Sequence, residues 1–158
     1  AYLAGMALND GSCNLGHALA HVLGGRYHIP HGEACAITIP MTIEYFAPIF
    51  PQRLRDLGRN MEIPLPRHLS AQETGRCVAD AVRSLNRRIG IRTMAELGVP
   101  YGDLPGIAEQ ALKENIHSML RPAIMRRKVG MEDLLRPMEK EYRGAPNPPG
   151  VPFPAETK

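Results

Sequence analysis

Apolar residues recurring every three or four positions, punctuated by glycine and proline, constrain this chain more than any other feature. They describe helices joined by short turns. Leu15, Leu19, Val22 and Leu23 lie on one such stripe, and Gly24-Gly25 is the expected stop. The stretch from Pro30 to Tyr45 reads two ways. Its ACAITI run resembles a strand locally. Pro40 is awkward in a central strand, however, and the long apolar periodicity after a starting proline favours a kinked helix. Ser70 to Ile89 carries the clearest signals. Ser70 and Glu73 form a capping box, and Cys77, Val78, Ala81, Val82 and Leu85 line one face. Two more stripes follow: Leu104 to Leu120, with Ile107, Ala111 and Leu112 inward, and Met131 to Tyr142, with Leu134, Leu135 and Met138 aligned. Gly90 and Gly144 mark stops. The expectation is an all-α helical bundle over residues 1–143. Residues 144–158, GAPNPPGVPFPAETK, hold five prolines and two glycines and are expected to form an extended surface tail.

A chain of 158 residues suffices for one domain that buries roughly 70% of its unfolded surface. Aromatics make up only 5%, so Leu, Ile, Val, Ala and Met must build the core. The formal charge of +3 is too mild to imply nucleic acid. It is also unevenly spread. Residues 1–50 carry one Arg against three acids, and residues 51–100 carry nine Arg against five. That basic middle suits solvated helix faces better than a phosphate-binding surface. Cys13, Cys35 and Cys77 form no C-x-x-C pair, which argues for a reducing cytoplasm over a disulfide framework. The longest apolar stretch, Ala34 to Ile43, has ten residues, half of the roughly twenty that a membrane span needs. No apolar signal core follows a basic start. The first residue is not Met, which fits a piece of a longer protein.

The chemistry lies in the histidines. Four of six, His17, His21, His28 and His31, fall within fifteen residues. Clustered imidazoles mark a metal or acid–base site. His17 and His21 are four apart on one helix face and are able to chelate a cation together. Pro30 would aim His31 back over that face, and Gly32 would permit close approach. His68 and His117 stand alone and read as ordinary surface or core residues.

The segment GHALAHVLGGRYHIPHGEACAITIPMTIEYF resembles the signature region of the iron-containing (group III) alcohol dehydrogenases. A His-x-x-x-His pair, Leu-Gly-Gly and Pro-His-Gly stand at the family's separations. Met94 to Pro100, MAELGVP, resembles a later turn of the family, and Met131 to Tyr142 sits at its last helix. The resemblance covers residues 1–143 and implies the C-terminal helical domain of the dehydroquinate synthase-like dehydrogenases. It implies that His17 and His31 hold Fe2+ or Zn2+, and that His21 faces the substrate and serves proton transfer or positioning. The implied reaction is NAD(P)-linked hydride transfer between a small alcohol and its aldehyde. A maleylacetate reductase or a hydroxyacid transhydrogenase is a close variant on the same scaffold. Four departures stand out. Cys35 replaces a usual Asn, Met41 a frequent His and Phe46 a frequent Asn, while Arg126-Arg127-Lys128 occupies the region of an Asn-Pro-Arg segment.

Two parts of the family's machinery are not found. Its metal takes two further ligands, an Asp and a His four residues later. The residues four before each histidine here are Cys13, His17, Gly24, Tyr27, Pro64 and Lys113. The Gly-Gly-Gly-Ser turn for the cofactor pyrophosphate is also absent. NAD(P) would therefore bind through an N-terminal domain outside this sequence, and the isolated chain is expected to be catalytically incomplete. It would pack against that domain or self-associate, with no nucleic-acid or membrane partner, in the cytoplasm. The competing reading is a non-catalytic helical module that acts as a binding or scaffold protein, its basic middle serving a polyanionic partner.

Overall fold

In the computed structural model, which describes residues 2, 3, 6, 15–113 and 129–144, the apolar stripes become helices, with no strand among the described residues. The order is α1 (Leu15–Tyr27), α2 (His31–Phe46), α3 (Pro51–Asn60), α4 (Ala71–Arg88), a 3-10 turn (Tyr101–Asp103), α5 (Leu104–Ala111) and α6 (Met131–Glu141). The all-α expectation holds. The Pro-rich segment 145–158, His117, Cys13 and the Arg126-Arg127-Lys128 run lie outside the described residues.

Helix α2 is the central element, packed along both α1 and α4. Its ACAITI run is helical, and Pro40 sits inside the helix and is buried. A proline there leaves the carbonyl four residues earlier without its helical donor. That carbonyl belongs to Ala36, and the Asn86 side-chain amide of α4 donates to it at 2.7 Å. The defect in one helix is thus satisfied by its neighbour, which also ties α4 to α2.

Helix α1 does not stop at Gly24-Gly25. It runs on to Tyr27, and His28 then turns the chain with a left-handed φ of 55°. Glycine permits a stop without imposing one, and here the last turn is held from outside. The Tyr27 hydroxyl donates to Asp103 at 2.7 Å. Burial and that hydrogen bond push its pKa up to about 12.

The capping box at the start of α4 is present. Ser70 Oγ accepts from the Glu73 N–H at 3.2 Å, and the Ser70 N–H donates to the Glu73 carboxylate at 2.8 Å. The buried face of α4, however, is rotated from the expected one. It comprises Thr74, Gly75, Val78, Ala79, Ala81 and Arg83, while Leu85 is 38% exposed. Gly75 lies on this face. A Cβ there would lie 2.4 Å from the Ala47 Cβ, so only glycine lets the helices approach along this line.

The rotation also buries a charge. Arg83 is 4% exposed, contrary to the expectation of solvated arginines. Its guanidinium pairs with Glu141 of α6, with Glu44 of α2 at 2.7 Å and with Asp80 at 2.6 Å. Lys140 in turn donates to Glu44 at 2.5 and 2.8 Å. The network joins three helices around the buried Arg83 guanidinium.

Helix α3 had no signal in the apolar pattern because it buries only Leu54 and Gly58. It closes a small core with Ile43, Ala47, Val78 and Ala79. The larger core lies on the other side of α2. There Leu15, Leu19 and Leu23 of α1 meet Ile37 and Met41 of α2, Leu104 and Ile107 of α5, and Leu134 and Met138 of α6. The inward residues expected for α5 and α6 are largely those observed, although Leu112 and Leu135 are only half-buried.

Candidate metal centre

The site forms where α1 crosses the first turns of α2. The crossing is close because residue 16 is glycine. A Cβ there would stand 2.4 Å from Thr42 Oγ1 and 3.2 Å from Thr38 Oγ1. The Thr38 hydroxyl donates to the Gly16 carbonyl at 2.9 Å, and the Thr42 hydroxyl to the Thr38 carbonyl at 2.8 Å. This contact pins the residue before His17 against α2. Pro30, with φ of −52°, then places His31 at the very start of α2. Glu33, in that same first turn, is clamped by Arg92 through two hydrogen bonds of 3.1 Å. Those hydrogen bonds hold its carboxyl below the usual range against a smaller effect of burial.

The three site histidines of the sequence reading come together. Ring centroids lie 4.7 Å apart for His17 and His21, 4.7 Å for His17 and His31, and 5.4 Å for His21 and His31. His17 is half-buried, whereas His21 and His31 are exposed. Burial lowers the pKa of His17, and the neighbouring His21 and His31 lower it further. A neutral imidazole with a free lone pair is the form that binds a cation.

A fourth side chain joins them that the residue pattern did not single out. Cys35 Sγ lies 3.5 Å from His31 Nε2 and 3.9 Å from His17 Nδ1. The donor atoms of His17, His31 and Cys35 all lie within 4.8 Å of one another. The signal was present in the spacing: Cys35 follows His31 by four residues, as His21 follows His17. Among the described residues, the other departures, Met41 and Phe46, do not join the cluster. Met41 is buried in the core, and Phe46 meets Tyr45 edge-on and lies tilted beside Phe50. His28 and His68 are exposed and outside the group.

Imidazole nitrogens with a thiol are borderline-to-soft donors. They suit iron, zinc or cobalt and not the all-oxygen preference of magnesium or calcium. The exposed rings of His21 and His31 leave one side of the cluster open, as a catalytic metal requires. No helix among the described residues is long and apolar enough to cross a membrane.

Comparison with known proteins agrees with this picture. Residues 1–137 match the model of the Fe-containing alcohol dehydrogenase family, C-terminal part. Lactaldehyde reductase of Escherichia coli strain K12 is 35% identical over 114 residues, 72% of this chain and 30% of that protein. Alcohol dehydrogenase 4 of Saccharomyces cerevisiae strain S288c is 42% identical over 118 residues, 73% of this chain and 29% of that protein. Among solved structures, alcohol dehydrogenase from Oenococcus oeni superposes with a TM-score of 0.75 at 32% identity, covering 89% of this chain and 35% of the other. The chain therefore spans about 30% of the length of the curated relatives it matches. A helical fold shared at this level, and a family match running through the histidine cluster, establish that the chain belongs to the Fe-containing alcohol dehydrogenase family, in its C-terminal part.

Proposed function

We propose that residues 1–143 form the metal-binding helical domain of an NAD(P)-linked alcohol dehydrogenase that interconverts a small alcohol and its aldehyde. In this reading His17 and His31 hold Fe2+ or Zn2+, and His21 serves the substrate. The supporting observation is that side chains from two helices meet within ring-contact distance at one open-sided cluster. When bound, the metal supplies Lewis acidity to the substrate oxygen, and the nicotinamide exchanges hydride. The chain's own residues position and protect. Gly16 and Thr38 set the spacing of α1 and α2. Arg92 and Glu33 hold the turn that carries His31. His21, exposed and one turn beyond His17, would hold or pass a proton at a ring nitrogen.

The nicotinamide side of the cleft, and the remaining ligands, would come from a nucleotide-binding domain against which this domain packs. The 158-residue chain tested with NADH or NADPH and an aldehyde should therefore show no turnover near that of full-length relatives. The decisive experiment is metal content after anaerobic loading with Fe2+ or Zn2+. The wild-type chain should retain about one equivalent, His17→Ala and His31→Ala should lose it, and His21→Ala should keep it. Unchanged metal content in all three variants would refute the assignment and favour a non-catalytic helical module.

A further inference from the structure

We infer that Cys35 is a metal ligand in this protein, so that the chain presents a two-histidine, one-thiolate donor set: His17 Nδ1, His31 Nε2 and Cys35 Sγ. The inference rests on the reading that His17 and His31 hold a metal, and it adds the donor that makes a three-ligand site from this chain alone. Such a set takes Zn2+ or Co2+ in preference to Fe2+, because thiolate is the softest donor available.

Geometry carries the argument. A tetrahedral ion with a metal–sulfur bond of about 2.3 Å and metal–nitrogen bonds of about 2.05 Å sets its sulfur and nitrogen donors about 3.6 Å apart. The Cys35 sulfur lies 3.5 Å from His31 Nε2 and 3.9 Å from His17 Nδ1. Both separations are close to that edge.

The helix that carries the sulfur is also held against α1. Thr38, whose hydroxyl donates to the Gly16 carbonyl at 2.9 Å, lies within 3.0 Å of the Cys35 carbonyl by the same hydroxyl. Thr38, on the helix that carries Cys35, therefore ties that helix to the residue before His17.

Charge supplies the second argument. The two imidazoles of this chain bring no charge to a dication, and no carboxylate joins the donor group among the described residues, so within this chain only a thiolate offsets the metal's charge; the Asp that the resemblance implies would lie outside this sequence. Glu33, the nearest acid in sequence, is committed to Arg92. On binding, the Cys35 S–H bond breaks, its proton leaves to solvent and the sulfur lone pair forms the metal bond. The resulting thiolate supplies one negative charge to the site.

Cobalt titration of the reduced 158-residue chain tests this directly, because thiolate ligation gives an intense near-ultraviolet sulfur-to-cobalt charge-transfer band beside the visible d–d bands. The wild-type chain should show both. Cys35→Ser and Cys35→Ala should lose the charge-transfer band and bind Co2+ at least about tenfold more weakly, with helical circular dichroism confirming that they fold. Cys13→Ser and Cys77→Ser should keep it. A band that survives in both Cys35 variants, or that vanishes in a Cys13 or Cys77 variant instead, overturns the inference. Visible d–d bands with no charge-transfer band in the wild-type chain also overturn it, while leaving histidine ligation standing. A wild-type chain that takes up no cobalt at all defeats both readings.

Discussion

Two glycines of one helix should respond to alanine in opposite directions. Gly16 and Gly25 both lie in α1. At Gly16 a Cβ would fall 2.4 Å from Thr42 Oγ1, 3.2 Å from Thr38 Oγ1 and 3.3 Å from the Thr38 carbonyl oxygen. To restore ordinary contact the Thr42 side chain must turn away and lose its 2.8 Å hydrogen bond, or α1 must lift by about 1 Å. Overpacking of this kind costs about 1–3 kcal/mol, and a lost hydrogen bond adds about 1. Against this, alanine gains at most about 1 kcal/mol of helix propensity over glycine. Gly16→Ala should therefore destabilise by about 1–3 kcal/mol, lowering Tm by roughly 2–4 °C per kcal/mol in a domain of this size. At Gly25 a Cβ would meet nothing within 4 Å. Gly25→Ala should raise stability by about 0.5–1 kcal/mol. Urea unfolding followed by circular dichroism measures both. Because Gly16 precedes His17, its variant should also weaken Co2+ binding, whereas Gly25→Ala should not. Adding Thr42→Ala removes the atom in collision, so the double variant should recover at least about half of the Gly16→Ala loss. A Gly16→Ala protein as stable as Gly25→Ala, with unchanged metal binding, would refute the claim that this crossing sets the site.

Replacing Arg83 by Met leaves Glu141 buried without its cation, and should cost about 3–5 kcal/mol in chemical denaturation. The combination Arg83→Met with Glu141→Leu should recover much of that loss. Glu44 makes the same network sensitive to acid. Burial opposes its ionisation, but hydrogen bonds from Lys140 and the charge of Arg83 outweigh it and lower its pKa from 4.5. A depressed carboxyl stabilises the fold fully above its unfolded value, and that contribution disappears as pH falls through the folded one. Stability should thus drop below about pH 4.5, and less steeply in Glu44→Gln, as read from Tm across pH. Asn86→Leu removes the donor to the Ala36 carbonyl that Pro40 leaves open; it should cost about 1–3 kcal/mol, whereas Pro40→Ala in that background should restore part of it by returning the helical N–H.

Local chemistry was enough to reveal the helices other than α3. The Ser70–Glu73 box, the proline before His31 and the apolar stripes of α1, α2, α5 and α6 each act within one or two turns, so their outcome is written in adjacent residues. The histidine cluster was legible for the same reason, since four-residue spacing on a helix and a short proline turn nearly decide where three rings can go. What needed the folded chain was rotation and approach. Gly75 and Gly16 admit neighbours that no stripe names, and α4 buries Arg83 while it leaves Leu85 exposed. Helix α3 carries too few apolar residues to announce itself and forms against a core that others build. Cys35 read as a substitution within a motif. It became a donor only when α1 and α2 were brought together at Gly16, because two helices must meet before a sulfur on one can face a nitrogen on the other.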